Sequence, residues 1–229
     1  MSTRTALVAG ATGLVGGHLV RRLLAAEAWD HIVTVGRRRL ESRLRPGQAL
    51  DHPQLEQRLA DFDHLDALDF PASDDAFCCL GTTIKKAGSD EAFRKVDFDY
   101  VVGFARAAHR HGASQFVVVS AMGADAGSRI FYNRLKGEME EAVAAVGFEA
   151  VQIVRPALLL GDRAVQRPKE KAAEWVMKPF TPFLRGPLRN LRPIEGDTVA
   201  AAMGAAAQVR TPGVHIYESD TLARIGARL

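Results

Sequence analysis

Cysteine is scarce in this chain, and its placement argues against two common kinds of structural site. The 229 residues contain only Cys78 and Cys79, which are neighbours in an apolar run. Successive side chains of a strand point to opposite faces, so the two thiols are poorly placed to bond with each other. A structural disulfide is therefore not expected. No metal site is expected either, because the seven histidines show no ligand spacing.

Long hydrophobic runs are also lacking. The longest stretch of small apolar residues covers 199–207, and a membrane-spanning helix needs about 20 apolar residues. The first strand-like run begins at Thr5, which leaves no room for the charged and apolar regions of a secretory signal. We expect no membrane span and a cytoplasmic protein.

Neither sign of charge dominates. The chain has 30 basic and 27 acidic side chains, and 47% of its residues are hydrophobic, as expected of one globular domain over 1–229. The arginines cluster only at 37–39, with Arg43 and Arg45 behind them. No aromatic residues lie among them, so a nucleic-acid partner is not expected. Two interpretations of this basic run remain at this point: a solvated loop or a phosphate pocket.

Strand-like and helix-like segments alternate along most of the chain. Nearly continuous apolar runs at 5–10, 31–36, 75–80, 115–120 and 150–155, with a weaker one at 56–61, are typical of strands buried on both faces. Helical patterns cover about 13–28, 89–111, 128–146 and 197–209, and a last strand covers 213–218. This alternation predicts an α/β fold, a doubly wound parallel sheet of the Rossmann type.

The alternation of strands and helices ends after Arg155, where prolines interrupt the chain at short intervals. We expect 156–196 to form a small substrate-side cap over the carboxyl edge of the sheet, with a short helix at 172–180.

A glycine-rich turn follows the first strand. Gly10, Gly13 and Gly16 stand three residues apart where strand gives way to helix. In that context the spacing favours a dinucleotide-binding loop, because the glycines permit a tight turn and the approach of a pyrophosphate to the helix N-terminus. The predicted cofactor-binding residues of this loop also include Thr12, Leu14 and Val15.

The end of the second strand indicates which dinucleotide binds. An acidic residue there would accept hydrogen bonds from the adenosine ribose, but the chain has Gly36 followed by Arg37 and Arg38. Guanidinium groups bind a 2′-phosphate well. The basic run is therefore interpreted as a phosphate pocket, and NADP(H) is the predicted cofactor.

A tyrosine and a lysine lie one turn apart on the predicted helix over 128–146. Tyr132 and Lys136 share a helix face at this spacing, and Ser120 ends the preceding strand, where parallel strands line a ligand crevice. The tyrosine–lysine pair alone decides nothing, since the spacing also arises by chance. Together with the glycine loop it indicates chemistry at the crevice.

Four sequence blocks carry a family resemblance. They are CCLGTT at 78–83, FVVVSAMGAD at 116–125, YNRLKGEMEE at 132–141 and RPALLLGDR at 155–163. The chain resembles atypical members of the short-chain dehydrogenase/reductase superfamily, in the branch that contains the Tat-interactive tumour suppressor and its bacterial relatives. The likeness extends from Ala6 to about Val209.

The resemblance implies a catalytic triad of Ser120, Tyr132 and Lys136, which also contact the cofactor. It further implies cofactor contacts at Asp61 and Phe62 beside the adenine, at Leu80, Gly81 and Thr82 beside the adenosine ribose, and at Pro156 and Leu158 near the nicotinamide. The chain departs from better-known members where an asparagine of a proton relay is replaced by a stretch with Asp97 and Asp99.

These observations predict an NADPH-dependent reductase, monomeric or homodimeric, that acts on a small-molecule carbonyl compound. Two alternatives are left open. One is an NADP(H)-binding regulatory or scaffold protein without turnover, because the branch includes such proteins. The other is a nucleotide-sugar epimerase or dehydratase, although the segment after Arg155 is short for a sugar-nucleotide domain.

Overall fold

A computed structural model of the chain describes residues 4–42, 48–67, 69–161 and 190–227. Within these ranges one parallel sheet contains seven strands: β1 (Thr5–Ala9), β2 (His31–Gly36), β3 (Leu55–Leu59), β4 (Asp75–Cys78), β5 (Gln115–Val119), β6 (Ala150–Arg155) and β9 (Gly213–Glu218). A separate parallel pair joins β7 (Leu159–Leu160) to β8 (Ile194–Glu195).

The helices lie between and after the strands. They are α1 (Leu14–Ala25), α2 (Ile84–Ala87), α3 (Asp90–Arg94), α4 (Tyr100–Arg110), α5 (Phe131–Ala144), α6 (Gly196–Val209) and α7 (Ser219–Gly226). A 3₁₀ helix covers Phe62–Ala67, and a π-helical turn covers Lys95–Asp99 between α3 and α4. None of the helices in the described ranges is long and apolar enough to cross a membrane.

The strand order explains where a ligand can bind. The order is β3-β2-β1-β4-β5-β6-β9, so the chain moves outward in one direction from β1 to β3 and in the other from β4 to β9. In such a sheet the carboxyl ends of the two central strands, β1 and β4, border a crevice. The predicted doubly wound parallel sheet is confirmed.

Both faces of the sheet are covered by apolar helix surfaces. On one face Val101 of α4 and Met139 of α5 pack in one fully buried cluster with Val118. On the other face Leu19 of α1 and Met203 of α6 pack in a second cluster. Burial on both faces is the reason that the strand sequences are continuously apolar rather than alternating.

The predicted segments match the observed elements with informative differences at their ends. The strand expected over 75–80 leaves the sheet after Cys78. The helix expected over 128–146 begins only at Phe131, because Ile130 is extended. The helix expected over 89–111 is divided by the π turn, while its predicted N-cap, Ser89, accepts a hydrogen bond from the N–H of Ala92 at 3.1 Å.

Some short elements were not predicted. The 3₁₀ helix, α2, α7 and the β7–β8 pair carry too few apolar positions for a period to be recognised. The helix predicted at 172–180 lies outside the described residues.

A buried carboxylate ties the amino-terminal edge of the sheet together. Asp75, which is fully buried, accepts from Arg4 Nε at 2.7 Å, from Trp29 Nε1 at 2.7 Å and from Gln115 Nε2 at 2.8 Å. Gln115 also donates to the carbonyl of Ala207 in α6 at 3.0 Å. These contacts join β4 and β5 to Arg4 just before β1, to the α1–β2 connection and to the end of α6, far from the crevice.

Replacement of this carboxylate should destabilise the fold. Asp75→Ala leaves two buried donors and the partly buried Arg4 without their acceptor, so the free energy of unfolding should fall by about 3–5 kcal/mol. Asp51→Asn, at an exposed position, should change it by less than about 0.5 kcal/mol. Urea denaturation of both variants measures the difference, and equal stabilities would show that the contacts at Asp75 contribute nothing net.

Candidate active site

The glycine loop follows β1 and approaches the chain beyond β4 closely. Gly10 has φ of +82°, and a Cβ built there would lie 2.5 Å from the carbonyl carbon of Cys79. A Cβ at Gly16, on the first turn of α1, would overlap the carbonyl of Gly10. The turn therefore needs glycine for its backbone conformation at the first position and for helix–strand packing at the second.

The amino end of α1 suits an anionic group. Gly13 is the N-cap, no side chain caps the helix, and the first turn contains no acidic residue. The partial positive charge of the first-turn N–H groups is therefore not neutralised by a neighbouring carboxylate. A dinucleotide pyrophosphate fits this end of the helix, next to the exposed Thr12.

Leu14 and Val15 have a different environment from that of the glycines. Val15 is buried in the core. A Cβ at Gly161 or Gly196 would come within 2.8 Å or less of the Leu14 side chain, so Leu14 packs against the chain beside β7 and β8. Only the backbone of these two residues can face a pyrophosphate.

A cleft at the crevice contains most of the residues predicted for the adenosine half. It is lined by Gly10, Thr12, Gly36, Arg37, Arg38, Phe62 and Leu80, together with Ala11, Thr34, Val35, Leu40, Val96 and Tyr100. Gly36 and the last six were not among the predicted cofactor-binding residues. Val96 and Tyr100 reach the cleft through the π turn, which apolar spacing does not reveal.

Phe62 and Tyr100 form one wall of this cleft. Their ring centroids are 5.5 Å apart, and the Tyr100 hydroxyl donates to Asp63 Oδ1 at 2.8 Å. Lys95 Nζ lies 2.7 Å from the same oxygen. The wall is therefore held by an exposed polar cluster.

Three of the residues predicted for the adenosine half, Asp61, Gly81 and Thr82, do not line the cleft. Asp61 is exposed, and its Oδ1 accepts from the N–H of Asp63 at 3.0 Å. Gly81 and Thr82 lie beyond Leu80, where the N–H of Thr82 donates to Asp97 Oδ2 at 2.8 Å. The Thr82 N–H is therefore directed into the protein.

Ser120 follows β5 at the carboxyl edge of the sheet. Its side chain is 5% exposed, and Oγ has no hydrogen-bond partner among the described residues. An unsatisfied buried hydroxyl costs about 1–3 kcal/mol. Such a group is typical of a site whose partner is a bound oxygen or nitrogen atom.

Helix α5 carries Tyr132 and Lys136. The Tyr132 ring packs on Phe93 of α3 with centroids 5.5 Å apart. Lys136 is buried, and its Nζ lies 2.7 Å from Oδ1 of Asp97 on the π turn. A Cβ at Gly137 would overlap the backbone of Asp125 and Ala126, so the loop after Ser120 packs directly on α5.

The environment sets the ionisation of the buried groups. Burial raises the pKa of the Tyr132 phenol; the positive charge of Lys136 opposes this rise, and Asp97 adds to it. Burial acts to lower the pKa of Lys136, but Asp97 and Tyr132 outweigh it and the pKa lies above its ordinary value. Burial also raises the pKa of the Cys78 thiol to about 12, which keeps the thiol protonated and unreactive.

The chain after β6 lies near the same edge. The buried Pro156 accepts at its carbonyl from the N–H of Met122 at 3.1 Å. Leu158 is 48% exposed. Arg155 is paired with Glu140 of α5 at 2.6 Å and with Glu218 of β9 at 3.3 Å, so its role here is to fix α5 to the sheet.

No group of three or more potential metal ligands occurs among the residues that the structure describes. Both cysteines are free thiols.

A parallel sheet of this order, with a glycine loop and a positive helix end at its switch point, defines a dinucleotide-binding protein of the Rossmann class. Residues 10–175 match a family model described as NAD(P)H-binding. The chain therefore belongs to this NAD(P)H-binding family, in an atypical branch of the short-chain dehydrogenase/reductases.

Curated relatives cover most of the chain. Protein HTATIP2 of Rattus norvegicus is 35% identical over 182 residues, which are 79% of this chain and 71% of the relative. Protein FMP52, mitochondrial, of Candida glabrata is 31% identical over 231 residues, which are 99% of this chain and 94% of the relative.

A solved structure shares the fold. An oxidoreductase of the short-chain dehydrogenase/reductase family from Burkholderia thailandensis has a TM-score of 0.63 and 20% identity, and the match covers 97% of this chain and 94% of that chain.

The expected cytoplasmic location was wrong. Several relatives at 31–35% identity are named as mitochondrial proteins, and this finding contradicts the expectation. Composition and the absence of a secretory pattern cannot distinguish these two compartments.

The loop glycine offers a test of the cleft. Gly10→Ala should weaken binding of a dinucleotide by at least about 10-fold and lower stability, because φ is positive and the new Cβ meets the backbone of Cys79. Gly204→Ala in α6, where a Cβ meets nothing within 4 Å, should leave binding unchanged and stabilise by up to about 1 kcal/mol. Calorimetric titration with NADPH measures the affinity of both variants. Parental affinity in Gly10→Ala would contradict binding of the cofactor beside the glycine loop.

Proposed function

We propose that the protein is an NADPH-dependent reductase that converts a small-molecule carbonyl compound to the alcohol, with Ser120, Tyr132 and Lys136 as its catalytic residues. The observation that carries the proposal is the unpartnered Oγ of Ser120, buried at the edge of the sheet where α5 presents a half-buried tyrosine and a buried lysine. An unpartnered buried hydroxyl at the carboxyl edge of the sheet suits a carbonyl oxygen of a substrate.

Each of the three side chains has a separate task in this reaction. Bound NADPH would supply the hydride to the carbonyl carbon. Ser120 Oγ donates a hydrogen bond to the carbonyl oxygen as negative charge develops on it. Tyr132 transfers its phenolic proton to that oxygen, and Lys136 stabilises the phenolate left behind.

The protonation state of the phenol suits reduction. Because burial raises the pKa of Tyr132, the phenol carries its proton at neutral pH and can act as the acid. The ammonium of Lys136, whose pKa is also raised, remains charged at the same pH. Its remaining donors are free to reach the phenolate and a ribose hydroxyl.

The proposed choice of NADPH depends on the exposed arginines after β2. Arg37 and Arg38 line the cleft. No acidic residue stands at the end of β2, where Gly36 is followed directly by Arg37. A 2′-phosphate on the adenosine ribose would meet two guanidinium groups there. The glycine loop and α1 would hold the pyrophosphate, and Phe62 and Tyr100 would border the adenine.

Turnover is tested with purified protein, NADPH and a panel of aldehydes and ketones. Tyr132→Phe keeps the ring but removes the acidic proton, so NADPH affinity should stay within about twofold and turnover should fall by about 100-fold or more. Tyr217→Phe, which removes only a hydrogen bond to Gln152, is the matched control and should retain parental turnover.

The outcomes separate the candidate functions. Tight NADPH binding without turnover on any carbonyl compound would favour a cofactor-dependent regulator. A Tyr132→Phe protein that reduces its substrate at the parental rate would remove the tyrosine from the mechanism.

The cofactor preference is tested at the arginines. Arg37→Asp should weaken NADPH binding by roughly 10- to 100-fold, because one charge-assisted contact is lost, and should leave NADH affinity nearly unchanged. Arg106→Asp is the matched control, since Arg106 on α4 is exposed and does not line the cleft. Calorimetry with both cofactors measures this, and equal affinity of the parent for NADPH and NADH would contradict the preference.

A further inference from the structure

Asp97 is a buried acidic residue that has no assigned role in the proposed reaction. It lies on the π turn between α3 and α4 and is 1% exposed. Its neighbours on the turn point elsewhere, since Val96 lines the nucleotide cleft and Asp99 is exposed. π turns occur often at functional sites, and this one brings a carboxylate inside the protein.

Both oxygens of Asp97 are used by donors from different elements. Oδ1 lies 2.7 Å from the ammonium of Lys136 on α5. Oδ2 accepts from the backbone N–H of Thr82 at 2.8 Å, in the loop after β4. A Cβ at Gly81 would lie 3.4 Å from Oδ1, so the loop packs closely against this carboxylate.

We propose that Asp97 is the positioning residue of the proposed catalytic site, which holds the Lys136 ammonium at a fixed point relative to the loop Leu80–Thr82. The inference rests on the proposed function, which gives the position of the Lys136 ammonium its catalytic importance. It deepens that function, because the same carboxylate links the catalytic lysine to the loop next to the nucleotide cleft.

The chemistry of the two contacts requires a carboxylate. Two donors converge on Asp97 from opposite sides, and an asparagine offers one acceptor oxygen and a second donor group. An asparagine at 97 would therefore satisfy Lys136 or Thr82 but not both. It would also leave the buried Lys136 charge without its counter-ion.

Among the residues that the structure describes, the charged and titratable groups at this contact are Lys136 and Tyr132 on α5, Asp97 on the π turn and Cys78 at the end of β4. Cys78 stays protonated through the working range, so the state of the site is set by the other three. Removal of the Asp97 charge should favour loss of the Tyr132 proton at lower pH, because Asp97 raises the pKa of that phenol.

A double-mutant cycle on NADPH affinity tests the inference without any need for a substrate. Asp97→Asn should weaken NADPH binding by about 10-fold in the parent, since Lys136 loses its fixed position. In a Lys136→Met background the same change should have no further effect. Asp99→Asn, two residues further along the turn, is the matched control and should change nothing in either background.

The pH profile gives an independent readout once a substrate is found. In Asp97→Asn the alkaline fall of the reduction rate should move to lower pH, because the phenol loses its proton earlier when the nearby negative charge is removed. Asp99→Asn should leave the profile in place. An unshifted profile in Asp97→Asn would show that the carboxylate does not act on the tyrosine–lysine pair.

Stability is followed by melting curves for every variant. If Asp97→Asn does not fold, Asp97→Glu replaces it in the cycle, because it keeps the charge and displaces the oxygens. Equal loss of affinity in the parent and Lys136→Met backgrounds would overturn the inference and make Asp97 a purely structural residue. Absence of turnover by the parent would instead count against the proposed reductase, while the affinity cycle would still decide the position of Lys136.

Discussion

The close approach of Gly10 to the backbone of Cys79 and Leu80 is the constraint on which the geometry of the crevice depends. It sets the separation of the β1 and β4 carboxyl ends and leaves no space for a side chain between them. The loop that continues from Leu80 is then held by Thr82, whose N–H binds Asp97. A single path of short contacts therefore runs from the glycine turn to the lysine of α5.

Much of the fold was predictable because burial determines the strand sequences. Runs such as HIVTVG and AVQIVR are apolar on both faces, and the structure places them inside a sheet covered on both sides. The glycine spacing and Ser89 as an N-cap are local signals of backbone conformation. These features depend on neighbours in the sequence, so they can be read from it.

Other features depend on contacts between distant segments and could not be read in the same way. The π turn places Val96 and Asp97 on different sides, and the apolar spacing of 89–111 indicates only a continuous helix. The Lys136–Asp97 pair joins residues 39 positions apart, and no local pattern marks it. The positions of Leu14 and Asp61 likewise follow from packing and exposure, which a motif does not report.

Two buried aspartates show how the molecule separates its tasks. Asp75 at the amino edge receives donors from Arg4 just before β1, from β5 and from a tryptophan, and none of these groups reaches the crevice. Asp97 at the other edge receives a lysine and a loop N–H. An aspartate therefore stabilises the sheet at its amino edge, and another aspartate holds the buried Lys136 at the carboxyl edge.

The packing of Gly137 has a consequence for how this protein can change over evolutionary time or in a mutant library. A side chain at that position would overlap the backbone of Asp125 and Ala126, and the neighbouring Lys136 is fixed by its own partner. This part of α5 therefore tolerates almost no variation on its inner face. In the proposed reductase, new substrate preferences would therefore arise in the loops at the rim, where chemistry and selectivity can diverge independently.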